Sequence, residues 1–335
     1  MNTLADTKPA LPAKAAGSSV AALPVALFGS VMGLAGLALA WRAAHAHFGV
    51  PAWIGTSLGW VAVFAFIAVS AAYAAKVLTA FAAVRAEFSH PVAGNMFGTP
   101  LISILLLPML LADTSLPLAR AFWAAGALGM SMFAWFIVSR WLRGQQQSSH
   151  ATPAWIVPVV GMLDVPLALP ALQWQALHSV ALFALAVGLF FAFPLLTLIF
   201  SRLMFQEPMP EPLRPSLMIM LAPFSVGFSS YVSTMGRVDD FAAALYMLML
   251  FMLAVLMGRL RNLPRCSPFR VSWWAVSFPL AASATAALRY ASHVQDVYAN
   301  VIAILVLAIA TAVIAGLLLR TLSGIARGEL RKLIG

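Results

Sequence analysis

Charge is scarce in this sequence. Only 9% of its 335 residues are charged and 62% are hydrophobic, whereas soluble domains carry about 25% charged residues. That deficit excludes an ordinary soluble fold, because too little polar surface exists to cover the apolar side chains; the solvent must be lipid. Acidic residues are scarcer than basic ones, 10 against 20, which leaves a net charge of +10. A cationic excess can mark a nucleic-acid binder. Here the basic residues lie between apolar segments and form no stripe, so no nucleic-acid partner is expected. Cysteine is nearly absent, and the lone Cys266 excludes an internal disulfide. The six histidines are scattered with no zinc spacing, so no metal and no cofactor is expected. The dinucleotide-binding, phosphate-loop, nucleophile-elbow and HExxH motifs are all missing, and nothing points to an enzyme.

Long apolar runs are what the sequence does have. A membrane-spanning helix needs about 20 apolar residues, and ten such segments can be read: 22–43, 54–80, 97–112, 118–141, 154–172, 177–202, 214–233, 241–260, 272–291 and 297–320. The fold class is therefore all-α integral membrane, with short connections making five helical hairpins. Residues 1–21 read as a disordered tail, 22–322 as the transmembrane domain and 323–335 as a short basic tail. Sixteen of the cations fall on one side of this layout: Lys8, Lys14, Lys76, Arg85, Arg140, Arg143, Arg202, Arg214, Arg259, Arg261, Arg265, Arg270, Arg320, Arg327, Arg331 and Lys332. Only Arg42, Arg120, Arg237 and Arg289 fall on the other. Positive residues stay cytoplasmic, so both termini are expected in the cytoplasm of an inner (plasma) membrane.

Four prolines recur at nearly even intervals. Pro108, Pro166, Pro223 and Pro279 are 58, 57 and 56 residues apart, about one helical hairpin each, and they fall in spans three, five, seven and nine. Pro100 and Pro158 repeat the first interval, and Pro24 begins span one. Among the even spans only the sixth has an internal proline, Pro194. Proline removes a backbone donor and bends or breaks a helix, which lipid tolerates where protein or a water-filled cavity takes up the freed groups. Gly161 and Gly227 lie near these breaks, where small residues let helices approach closely. The pattern predicts an inner ring of proline-bent odd helices around a central path and an outer ring of straighter even helices.

The segments that carry these prolines are FSHPVAGNMFGTPLISILLLP (88–108), TPAWIVPVVGMLDVPLALPAL (152–172), LRPSLMIMLAPFSVGFSSY (213–231) and SWWAVSFPLAASATAALRY (272–290). In this order they resemble the TehA tellurite-resistance and dicarboxylate-transporter family, which includes the slow-type anion channels of plant guard cells. The resemblance runs from about residue 20 to residue 322. It implies five hairpins with quasi-fivefold symmetry, a homotrimer, and one pore per subunit closed by a phenylalanine on the ninth helix. The matching position is Phe278, beside Pro279.

On a helix Phe278, Ala282 and Thr285 share one face, so a bulky ring is followed by small side chains along a path. Few ionisable groups lie at mid-membrane, which favours a passive channel over a carrier that couples transport to protons or sodium. Asp164, expected in the outer half of span five, is the exception, and with Arg289 it is a candidate for the pore mouth. His178 and His293 are expected at outer helix ends in structural roles. A path without fixed cations passes anions without trapping them and should favour weakly hydrated ones such as nitrate over sulfate. The leading expectation is thus a Phe278-gated channel for small monovalent anions. The alternative is a secondary transporter or exporter of four-carbon dicarboxylates, sulfite or tellurite-like oxyanions. A membrane enzyme would need a cluster of Asp, His or Cys near one face; a membrane scaffold would carry no ion flux.

Overall fold

The computed structural model describes residues 20–260 and 269–329. Among them are ten helices long and apolar enough to cross a membrane: Val25–Phe48, Ala52–Thr79, Ala93–Leu111, Leu116–Arg143, Pro153–Leu172, His178–Phe205, Glu211–Met235, Asp240–Arg259, Val271–Val294 and Val297–Ala326. Most exceed the apolar runs that announce them. Span seven begins three residues earlier and span ten runs six residues further, because a helix continues through polar residues once its apolar part is packed. Lys8, Lys14, Arg261, Arg265, Cys266, Arg331 and Lys332 lie outside the described residues, as does most of the 1–21 tail.

Odd and even spans differ in burial. In the odd spans 61% to 83% of the most apolar window is buried inside the protein, against 11% to 39% in the even ones. Each even span turns a large apolar side chain outward: Phe64, Trp135, Phe193, Phe251 and Leu319. In water such a surface would drive aggregation, whereas in a bilayer it is solvated. The odd spans pack on one another. Span one contacts spans three and nine, span nine contacts seven, and spans seven and three both contact five. Tryptophan indoles tie the two sets together. Trp41 donates to Thr311 Oγ1 (3.1 Å), Trp274 to Thr321 Oγ1 (3.0 Å) and Trp123 to the Val165 carbonyl (2.9 Å).

The prolines mark changes of helix type. Span five is a chain of short pieces, alternately 3-10 and α, from Pro153 to Leu172. Span seven opens with a 3-10 helix, Glu211–Leu221, before the α-helix Ala222–Met235. Span nine does the same, with Val271–Val276 followed by Ser277–Val294. Runs of 3-10 helix longer than about four residues are uncommon, so the 11 residues in span seven are unusual. Pro223 is the second residue of its α-helix, Pro279 the third, and Pro166 opens a 3-10 turn. A first-turn proline lacks an N–H that is left over there in any case. Of the four, only Pro108 stands inside an α-helix, Gly98–Leu111.

A short helix, Phe81–Ser89, joins spans two and three, where the sequence suggested only a brief connection. Its Glu87 accepts from Lys76 Nζ (2.6 Å), Tyr73 Oη (3.1 Å) and the Val25 N–H (2.7 Å). Lys76 also donates to the Leu23 carbonyl (2.6 Å). A buried ammonium and carboxylate are tolerable because the remaining donors and acceptors are used. Together they lash the start of span one to the end of span two.

At the opposite end, arginines meet the last turns of odd spans. Arg42 donates to the Met109 and Leu110 carbonyls (2.9 and 3.4 Å) and pairs with Asp113 (3.1 Å). Arg120 donates to the Leu172 carbonyl (3.1 Å). The final carbonyls of a helix lack partners and carry partial negative charge, so a cation there satisfies both needs.

Candidate functional site

Two cavities lie among the odd spans and share two wall residues. The larger, about 300 Å³, is walled by the N-terminal halves of these spans, including Gly29, Thr99, Gly161, Asp164, Ser216 and Trp274. The smaller, about 210 Å³, is walled by their C-terminal halves, including Gly36, Leu106, Leu167, Ser229, Thr285 and Arg289. Phe278 lines both cavities, and Val226 across from it does too. Phe278 is buried, 6% exposed.

The ring has a built seat. Phe278 is the second residue of the α-helix that follows the 3-10 segment of span nine, so the change of helix type sets its direction. Ser277 donates to the Trp274 carbonyl (2.6 Å) and to the Gly29 carbonyl of span one (3.2 Å). Spans one and nine meet closely here. A Cβ built on Gly33 would stand 2.2 Å from Ser277 Oγ. One built on Gly36 would stand 3.3 Å from the Phe278 ring and 3.0 Å from Ala281 Cβ. Glycine at 36 therefore leaves the volume that the ring occupies.

The remaining candidates separate by location. Gly161, Asp164 and Pro279 line the larger cavity, while Ala282, Thr285 and Arg289 line the smaller. Pro108, Pro166, Pro223 and Gly227 line neither. Gly227 faces away from the cavities, since a Cβ there would approach Leu189 of span six and Leu245 of span eight. It is a helix-packing position. Asp164 lines the cavity formed by the N-terminal halves, whereas Arg289 lines the other. The irregular, piecewise course of span five turns this residue inward, which a regular-helix projection could not foresee. Asp164 is buried, and its Oδ1 has no hydrogen-bond partner among the described residues. His178 opens span six and His293 is an exposed residue near the end of span nine.

Two wall residues were not singled out by the sequence. Val226 sits across from Phe278, and Ser229 places a buried hydroxyl without a hydrogen-bond partner in the wall of the smaller cavity. The spacing of Ser229 and Ser233, four apart and so on one helical face, was the available signal. Among the described residues no group of three or more His, Cys, Asp or Glu could hold a metal ion.

Comparison with known proteins agrees with this architecture. Residues 22–322 match the family model for the voltage-dependent anion channel, SLAC1. The chain is 28% identical over 311 residues to the S-type anion channel SLAH3 of Arabidopsis thaliana, covering 89% of this chain and 48% of that channel. It is 25% identical over 310 residues to the guard cell S-type anion channel SLAC1 of the same plant, covering 89% of this chain and 55% of that channel. A tellurite resistance protein TehA homolog of Haemophilus influenzae is 29% identical over 282 residues, covering 80% of this chain and 81% of that protein. The chain thus spans about half the length of these two plant channels. With the family model covering most of the sequence, this multi-pass membrane protein belongs to the voltage-dependent anion channel family.

Proposed function

We propose that the protein is a passive anion channel of the inner (plasma) membrane whose path is closed by the Phe278 ring. The five odd spans surround the path and the even spans face lipid, with both termini in the cytoplasm. The observation that carries this reading is that Phe278 lies in the wall of both cavities. Moving one ring would join them into a single lumen. The walls are otherwise mostly aliphatic, so an ion passing through sheds much of its water. Small monovalent anions lose least by this, and nitrate should pass more readily than sulfate. Three protomers, each with its own path, form the assembly.

The deciding experiment is electrophysiology on Phe278→Ala in oocytes or liposomes with a panel of anions. A large anion current with nitrate exceeding sulfate supports the gate. An inserted variant that conducts no better than wild type removes it.

One observation favours a second reading. The buried Asp164 carboxyl, with an unpartnered oxygen in the larger cavity, suits an ion-coupled transporter of dicarboxylates, sulfite or a related oxyanion. Uptake into vesicles separates the two. A transporter of this kind runs on a pH gradient at zero voltage and loses that response in Asp164→Asn, whereas a channel follows the voltage.

A further inference from the structure

The smaller cavity holds a cation without a counter-ion. Arg289 forms no ion pair among the described residues; the Arg42, Lys76, Arg214 and Arg237 side chains each have one. Both of its hydrogen bonds come from Nη1, to the Ser229 carbonyl (2.9 Å) and to Ser233 Oγ (3.1 Å). Nε and Nη2 make none with the described residues. These bonds differ from those of Arg42 and Arg120, which reach the last carbonyls of helices. Ser229 lies inside the helix Ala222–Met235, where its carbonyl already accepts from the residue four positions on. Capping therefore does not explain Arg289. The contact instead anchors Nη1 and leaves Nε and Nη2 without a bond to the described residues, on a side chain that lines the cavity.

A second donor points the same way. Ser229 is 5% exposed, its hydroxyl has no partner, and it lines this cavity with Arg289. A buried hydroxyl without a partner costs stability unless something occupies it. The Thr285 hydroxyl donates to the Ala281 carbonyl (3.2 Å), so it turns its lone pairs and methyl outward and supplies no donor. Leu39, Leu106 and Leu167 make up much of the rest of the wall.

We propose that Arg289 and Ser229 form a binding site for a small monovalent anion, such as nitrate or a heavier halide, on the side of Phe278 away from Asp164. Nε and Nη2 of Arg289 present a two-pronged donor edge that matches two oxygens of a planar oxyanion, and the Ser229 hydroxyl supplies a third bond. The aliphatic wall selects against strongly hydrated divalent anions, whose dehydration one guanidinium does not offset. Arg289 is about 16 Å along its helix from Phe278, at 1.5 Å per residue. An anion held there waits on one side of the ring without touching it. The site deepens the channel reading, because it lies on the proposed path, yet binding requires no conduction.

The test uses the full-length protein in detergent. Nitrate binding is measured by calorimetry, with gluconate at equal ionic strength as the control, and crystals grown in bromide are examined for anomalous scattering. The proposal expects a bromide peak in contact with the Arg289 guanidinium and Ser229 Oγ. It expects the nitrate Kd to rise about tenfold or more in Arg289→Gln, less in Arg289→Lys, and severalfold in Ser229→Ala. Unchanged nitrate affinity in Arg289→Gln overturns it, as does a bromide peak confined to other positions. If Arg289→Gln does not fold, Ser229→Ala and the wild-type bromide position decide. Phe278→Ala separates this site from the gate. A silent Phe278→Ala with intact nitrate binding removes the gate and leaves the site, and a conducting Phe278→Ala with no nitrate or bromide at Arg289 does the reverse.

Discussion

The two cavities are built from opposite ends of the same five helices and carry opposite chemistry. The larger holds Asp164, a buried carboxyl with an unpartnered oxygen, in walls that are otherwise nearly all apolar. The smaller holds Arg289, a cation without a counter-ion, beside a free hydroxyl. An anion is repelled by an ionised carboxylate and drawn to a guanidinium, so the two halves of the proposed path are not equivalent. The proposed roles divide accordingly: selectivity with Arg289, proton sensitivity with Asp164, and closure with the Phe278 ring. Span nine carries both the ring and the guanidinium because Phe278, Ala282, Thr285 and Arg289 recur on a single face of it.

The largest expected effect comes from erasing the boundary. Phe278→Ala should raise anion current at least about tenfold, which corresponds to about 1.4 kcal/mol or more of barrier. Two cavities that stay separate when the ring is gone would break the comparison at its root.

Next is the contact that spaces both cavities. Spans one and nine wall each of them, and a Cβ at Gly33 would collide with Ser277 Oγ at 2.2 Å and Ser277 Cβ at 2.4 Å. Gly33→Ala should destabilise the protein by about 1–3 kcal/mol, as overpacking does, read as a lower unfolding temperature in detergent. Gly29→Ala, where the nearest atom is 3.6 Å away, should cost far less. Adding Ser277→Gly to Gly33→Ala should recover part of the loss. Equal melting of the two alanine variants would mean that the helices are not held this close.

A smaller effect sharpens the electrostatic contrast. In the Phe278→Ala background the opened path admits water to Asp164 and lets it ionise, so anion conductance should rise about threefold on acidification as the carboxyl takes up a proton and no longer repels the permeating ion. His90 lines the same cavity. Asp164→Asn isolates the carboxyl. It should raise conductance at neutral pH and flatten the rise on acidification. A pH response undiminished in Asp164→Asn would shift the effect to His90 and weaken the contrast.

The smallest effect belongs to the turn after span seven. Asp239 accepts from the Tyr231 hydroxyl (2.6 Å) and the Ala242 N–H (3.1 Å), and these bonds hold its carboxyl below the usual aspartate value. A depressed carboxyl contributes stability above its unfolded pKa, and the contribution is lost as pH falls through the folded one. Asp239→Asn should therefore melt slightly earlier at neutral pH, with the difference closing in acid. No such narrowing would show that this turn does not steady the wall that carries Ser229.

Much of the fold was legible because its causes are local. Ten apolar runs and their flanking polar residues locate ten spans within a few positions. The prolines of spans five, seven and nine lie in or just after 3-10 segments, whereas Pro108 of span three stands inside an α-helix. What stayed hidden depends on helix phase. Gly227 and Pro223 looked like lining residues by proximity to a break, yet Gly227 packs against spans six and eight. Asp164 and Arg289 were grouped as candidates for one pore mouth, and they line different cavities. Val226 and Ser229 looked like ordinary membrane-helix residues. Only the neighbouring helices make one a wall opposite Phe278 and the other an unpartnered donor.

Composition and hydropathy alone determined that this chain lives in lipid, crosses it ten times and distributes its cations unevenly, since each of those depends on transfer of a segment between water and hydrocarbon. Which side chains share a cavity was decided only in three dimensions. Burial inside a bundle depends on how helices rotate and approach, and Gly36, where an added Cβ would stand 3.3 Å from the Phe278 ring, records an approach between residues more than two hundred positions apart.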